Sequence, residues 1–174
     1  MGVSARIGVF ASLMWLVACS ETTPNAPFCR YSETLSPASK AITGFANQQP
    51  SACLIRDGRY LLVVIHRLSN KYDLPSGQAN EGESAACTAH RETFEETGLN
   101  VKVIQYVGQS NSGLQFFHCE QEAGFNAPDV APPSPFWQSH EIKQVLWVDP
   151  YEINHKDWRF AEQLVEVRAA FVNP

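Results

Sequence analysis

Three glutamates, Glu92, Glu95 and Glu96, constrain this chain more than any other feature. On a helix the spacing i, i+3, i+4 places all three on one face. The helix is well signalled: Ser84 suits an N-cap, Ala85, Ala86 and Ala89 favour the helix interior, and Gly98 suits the C′ position. Like charges at this spacing destabilise an isolated helix by roughly 0.2–0.5 kcal/mol per pair. They also fall in the last turns, where the negative end of the helix dipole repels anions. Arg91 can pair with Glu95 at i+4, but one guanidinium does not neutralise three carboxylates. A solvated acidic face is the plain reading of three such residues taken alone. The face gains a purpose when a divalent cation sits on it. Hard carboxylate oxygens suit Mg2+ or Mn2+, and Mg2+ keeps waters and bridges to phosphates.

The full spacing around the glutamates goes further. Residues 77–99 read GQANEGESAACTAHRETFEETGL. This resembles the Nudix box, G-x5-E-x7-R-E-U-x-E-E-x-G-U, where U is a bulky apolar residue. Gly77, Glu83, Arg91, Glu92, Glu95, Glu96, Gly98 and Leu99 match, so eight of nine fixed positions agree. The departure is Thr93, where the family has an aliphatic residue; Thr is β-branched and still packs. Leu74-Pro75 ahead of the box also resembles the family, with Ser76 in place of a common Gly. The resemblance implies a mixed α/β fold, an α/β/α sandwich with a central mixed sheet and the box as a loop-helix-loop. It implies divalent-metal-dependent hydrolysis of a diphosphate bond in a nucleoside diphosphate linked to a second moiety. By the same match Glu92, Glu95 and Glu96 are the metal ligands, with the carbonyl of Ser76 beside them. Glu92 doubles as a candidate base. Arg91 orients the acids, and Glu83 supports Arg91 or reaches metal through water. An acid from outside the box often completes such a site; Glu120 and Glu122 are the candidates, with exposed strand carboxylates as the plainer reading. The resemblance also makes a homodimer an option, with no interface legible in the chain.

Around the box the chain reads as one mixed α and β domain from about position 41 to 174. Ser51–Arg56 and Arg59–Arg67 are rich in Leu, Val and Ile, and Asp57-Gly58 between them signals a hairpin with both turn residues at φ > 0. Ser69–Gly82 reads as loop. Val101–Ser110, Leu114–Glu122 and Ile142–Val148 read as strands. Asp157–Phe171 reads as a second helix with an apolar stripe at Phe160, Leu164, Val167 and Phe171. Ala123–His140 holds Pro128, Pro132, Pro133 and Pro135, a long loop of the functional or disordered kind. Trp137 within it is the best candidate for a substrate lid. Tyr72 is a second aromatic able to stack on a base, a contact worth about 1–3 kcal/mol.

The first residues read as an address. Arg6 precedes an apolar run from Ile7 to Ala18, too short for a comfortable membrane span and suited to a signal-peptide core. Leu16-Val17-Ala18-Cys19 resembles the bacterial lipobox. That resemblance implies a signal peptide at 1–18, a lipidated Cys19 and a membrane anchor. With Ser20 next, it implies the periplasmic face of the outer membrane in a Gram-negative host. Residues 19–40, with Pro24, Pro27 and Pro37 among Ser and Thr, read as a tether. Cys29, Cys53, Cys87 and Cys119 remain, an even number in an oxidising compartment, which suits two disulfides with three connectivities open. Four free or buried thiols are the alternative.

Composition excludes some classes. With 13 Lys and Arg against 18 Asp and Glu, the net charge of −5 argues against a nucleic-acid binder. No CxxC pair is present, which argues against a Cys-rich zinc module. The five histidines show no zinc spacing; His118 has some claim because it flanks the candidate acids. Two other readings compete with the hydrolase. A metal-free binding module gains nothing from three repelling glutamates. A diphosphate isomerase needs an acid and Cys pair that the chain does not clearly offer.

Overall fold

The computed structural model describes residues 24–41, 49–122, 135–138 and 140–173. Cys19, the signal-peptide core, and Pro128, Pro132 and Pro133 of the long loop lie outside these residues. The elements are α1 (Pro37–Lys40), β1 (Ser51–Asp57), β2 (Tyr60–His66), β3 (Lys71–Asp73), β4 (Ser76–Gly77), α2 (Ala85–Thr97), β5 (Val101–Gln109), β6 (Gln115–Gln121), β7 (Ile142–Val148) and α3 (Gln163–Val172).

The strands form one mixed sheet. β1 runs parallel to β6, and β6 is antiparallel to β5. β2 is antiparallel to β7. β1 and β2 pair only at their hairpin end, Arg56 with Leu61 and Asp57 with Tyr60. Beyond that the two strands part. β4 pairs with the start of β1 and β3 with the end of β2. The stretch Ser69–Gly82, read from sequence as loop, thus supplies two short strands. They are too brief to show a period of two. The hairpin also differs in detail: its turn residues are Gly58 and Arg59, and only Gly58 takes a positive φ, 57°.

β1 and β2 are near-continuous apolar runs because both faces of the sheet are covered. Cys53, Ile55, Leu62 and Val64 face the α2 side with Ala86, Ala89 and Val103. Ala52, Leu54, Leu61 and Val63 face the α3 side with Leu164, Val167 and Phe171. This alternation makes three layers, α2, sheet and α3.

Two expected boundaries move. The second helix begins at Gln163, not Asp157, after a short 3-10 turn at His155–Asp157. Trp158 interrupts it: the residue is extended, bridged to Tyr72 and fully buried. Phe160 falls outside the stripe and is 44% exposed. Residues 30–40 are not a free tether. The backbones of Arg30 and Ser32 bond to both sides of Val103, and Leu35 is buried in the α2-side core. The disulfides are Cys29–Cys87 and Cys53–Cys119. The second joins neighbouring strands β1 and β6. The first fixes the N-terminal segment to the first turn of α2. Among the described residues no helix is long and apolar enough to cross a membrane.

Candidate active site

α2 is built as its sequence indicates. The Ser84 hydroxyl accepts from the Cys87 amide at 3.3 Å, and Gly98 ends the helix at φ 74° with its amide on Phe94 O. Thr93, the departure from the box, is fully buried, and its hydroxyl donates to the Ala89 carbonyl at 2.8 Å. No polar atom is orphaned by the substitution.

Arg91 stands at the centre of the acids. Its Nε donates to Glu83 Oε1 at 2.9 Å, and one terminal nitrogen donates to Glu92 at 2.7 Å and Glu95 at 2.9 Å. The other donates to the Gln78 carbonyl and to Glu83. Glu83 is itself fixed by the Asn80 amide and the Thr88 hydroxyl. Burial works against the Arg91 charge, but Glu83 and Glu92 more than offset it, so its proton is held more tightly than in free arginine. Replacing Arg91 with Ala strands three carboxylates. We expect a stability loss of about 3 kcal/mol, read by denaturant melts, with turnover lost in parallel.

Glu96 lies deeper, between α2 and the sheet. The Ser76 amide on β4 donates to its carboxylate at 3.0 Å. Burial raises its pKa well above the usual carboxylate range, the Ser76 amide pulls it back, and Asp73 and Glu92 push it up again. Burial likewise raises Glu92, against the pull of Arg91. Gly77 is required for space. A Cβ there would meet the Glu92 carboxylate well inside van der Waals contact. Gly77→Ala is expected to dislodge Glu92, costing about 1–3 kcal/mol of stability and at least ten-fold in kcat. Thermal melts and kinetics on one sample check both.

As they stand, the acids bond to the protein itself. Among the described residues no three acidic, His or Cys side chains are gathered closely enough to hold an ion. Glu92 and Glu95 are turned to Arg91, and Glu96 to the Ser76 amide. An ion on this face requires rotation of Glu92 or Glu95 away from Arg91. The donor chemistry nonetheless fits a hard divalent cation: all oxygen, anionic, and carrying more negative charge than Arg91 neutralises.

Glu120 does not join this group. His118 on β6 pairs with Leu54 and its Nε2 meets the Ala170 carbonyl of α3. Glu120, two residues on, shares that α3-side face, whereas the acids belong to α2. Glu122 pairs with Arg30 and accepts from Asn100. Tyr72 packs against the α3-side core. Trp137 is brought to the site's helix: its indole N–H donates to the Glu95 carbonyl at 3.0 Å and its ring stacks on Phe94.

Asp73 and Arg159 escaped the sequence reading. Asp73 is buried, accepts from the Leu74 amide and pairs with Arg159 at 3.2 Å. Burial raises its pKa to about 6 against the pull of Arg159. It anchors the Leu74–Ser76 approach that presents the Ser76 amide to Glu96.

The NUDIX domain family model matches residues 47–169. The chain belongs to the Nudix family. It is similar to the NAD-capped RNA hydrolase NudC of Mannheimia succiniciproducens, 37% identical over 122 residues. That match takes in 64% of this chain and 44% of the relative, so the chain spans less than half the relative's length. Among solved structures the Nudix fold recurs in an ADP-ribose pyrophosphatase from Streptococcus suis. Its TM-score is 0.55 at 15% identity, with 72% of this chain and 90% of that one covered. It recurs in a Nudix hydrolase family member from Chromobacterium violaceum, with TM-score 0.52, 21% identity, and 71% and 77% covered. These likenesses show the mixed α/β Nudix fold.

Proposed function

We propose that this Nudix chain hydrolyses the diphosphate bond of a nucleoside-diphosphate-linked or related small molecule, using Mg2+ or Mn2+. The observation that carries this reading is the single cluster of Glu83, Glu92 and Glu95 on Arg91, with Glu96 buried beside Ser76–Gly77. The likeness to a hydrolase named for NAD-capped RNA supports it. Bound on the acidic face, the cation would screen the diphosphate's charge, polarise the phosphorus and lower the pKa of an attacking water. The chain's own residues then have separable tasks. Arg91 holds Glu92 and Glu95 side by side, and an ion on this face would draw one of them away from it. Glu96, held by the Ser76 amide, is the deepest oxygen donor offered to the ion. Gly77 leaves Glu92 the space to turn.

We further propose export and a lipid anchor at Cys19, with the periplasmic face of the outer membrane as the site in a Gram-negative host. Two disulfides within the domain support an oxidising compartment. Extracytoplasmic nucleotide derivatives, or a lipid diphosphate at the membrane, then become the substrates to screen.

The experiment is a hydrolysis screen of NADH, nucleotide sugars, dinucleoside polyphosphates and isoprenoid diphosphates, with and without each metal, with Glu95→Gln as control. Metal-dependent turnover lost in the control is expected. Metal-independent turnover, or turnover retained by Glu95→Gln, overturns the mechanism. Mass spectrometry of the protein from membranes is expected to find Cys19 acylated at a new N-terminus; an intact cytosolic chain overturns the anchor.

A further inference from the structure

The N-terminal segment does more than lead into the domain. Residues 24–29 form one wall of an open cleft of about 750 Å3, and the opposite wall carries Glu83, Arg91 and Glu95. The two walls differ in chemistry. Pro24, Pro27 and Phe28 present apolar surface, and Phe28 is 96% exposed. The α2 wall is charged and belongs to the site described above.

The segment is held at one point next to the cleft. Among the described residues, none of 24–28 has a hydrogen-bond partner. Cys29 is bonded to Cys87, and Arg30 follows with its carbonyl on the Val103 amide at 2.9 Å. Cys87 lies one helical turn before Arg91, so the bridge anchors the apolar wall on the same cleft that Arg91 lines. Phe28, the most exposed of the large apolar side chains among the described residues, is an aromatic face available for a ring.

We infer that residues 24–29, fixed by Cys29–Cys87, form the subsite for the ring-bearing moiety attached to the diphosphate. This rests on the reading of Glu83, Arg91 and Glu95 as the diphosphate end. The cleft is open, so it takes a planar base against one wall; a prenyl chain needs an enclosed channel to bury its length. The disulfide makes that wall conditional on oxidation: reduction frees it and leaves the acids in place.

The test is equilibrium binding by calorimetry in Mg2+, with both disulfides formed. α,β-Methylene-ADP carries the ring and resists hydrolysis between its phosphates; methylenediphosphonate carries none. Stacking on one aromatic side chain corresponds to roughly ten-fold in affinity. Phe28→Ala should reduce the ratio of the two affinities by about that factor. So exposed a residue is removable without unfolding the domain. Cys29→Ser/Cys87→Ser should reduce the ratio comparably, as should selective reduction of the bridge. An unchanged ratio in Phe28→Ala overturns the subsite. A ratio that rises when the bridge is cut shows the segment to be a barrier and overturns it as well. A ratio that depends on Phe28 in a protein that hydrolyses no diphosphate upholds the subsite and removes the hydrolase reading instead.

Discussion

Glu96→Gln is expected to remove at least two orders of magnitude of kcat while raising the melting temperature of the metal-free protein at neutral pH. The two effects share one cause. Glu96 is buried, meets the Ser76 amide, and faces Asp73 and Glu92 as like charges. Burial first, and those charges after it, raise its folded-state pKa above the unfolded value of about 4.3. Such a group contributes its stability in full below the unfolded pKa and loses it as pH rises through the folded one. Above the unfolded pKa, folding must either bury that charge or take up a proton, and Gln removes this cost. Melts of wild type and variant in EDTA should therefore converge near pH 4 and separate towards pH 8, the variant melting higher. Mg2+ should stabilise wild type and do much less for the variant. A variant that melts lower at neutral pH, or keeps its turnover, contradicts this account.

Removing the Cys53–Cys119 bridge should lower stability by about 2–4 kcal/mol. It closes a loop with a sequence separation of 66, and joins β1 to β6 at the centre of the sheet. For a domain of this size that is roughly a 10 °C fall in melting temperature, read by calorimetry of Cys53→Ser/Cys119→Ser. Cys29–Cys87, with a separation of 58, should give a similar entropic term. Its loss frees surface segment as well as core, so the residual domain should still melt cooperatively. A melting temperature unmoved by loss of either bridge is incompatible with their spanning folded elements.

The site was legible because a helix converts spacing into position. Arg91, Glu92, Glu95 and Glu96 share α2, and nothing beyond the period of the helix was needed to gather them. Glu83 was legible only through its place in the box; its contact with Arg91 is made across a turn. Other positions depended on partners far along the chain. Ser76 and Gly77 form a two-residue strand that exists because β1 offers a free edge at Ser51. Asp73 acquires its role from Arg159, on the far side of β7 in the chain. Glu120 was misplaced because a strand's two faces look alike until their neighbours are known. Once Phe116 is seen against α3 and Phe117 against α2, the face of Glu120 follows. The N-terminal segment was hidden by its composition. Its Pro and Ser suggest a linker, while Leu35, a disulfide, backbone bonds to Val103 and the Arg30–Glu122 pair hold it to the domain.

The strand pairing also dictates the order in which this chain becomes a protein. β1 finds its parallel neighbour only when β6 has emerged, and β2 waits for β7. Beyond the short hairpin end, nearby sequence offers the two central strands only brief pairings, β3 with β2 and β4 with β1. Contacts of such long range slow folding, because loop closure precedes any reward from pairing. Half-made chains must then hold the apolar runs of β1 and β2 unpaired, with their edges open to other copies. Two thiols brought together only when β1 meets β6, Cys53 and Cys119, act as a clock for that event: their oxidation dates the pairing of strands that begin 64 residues apart.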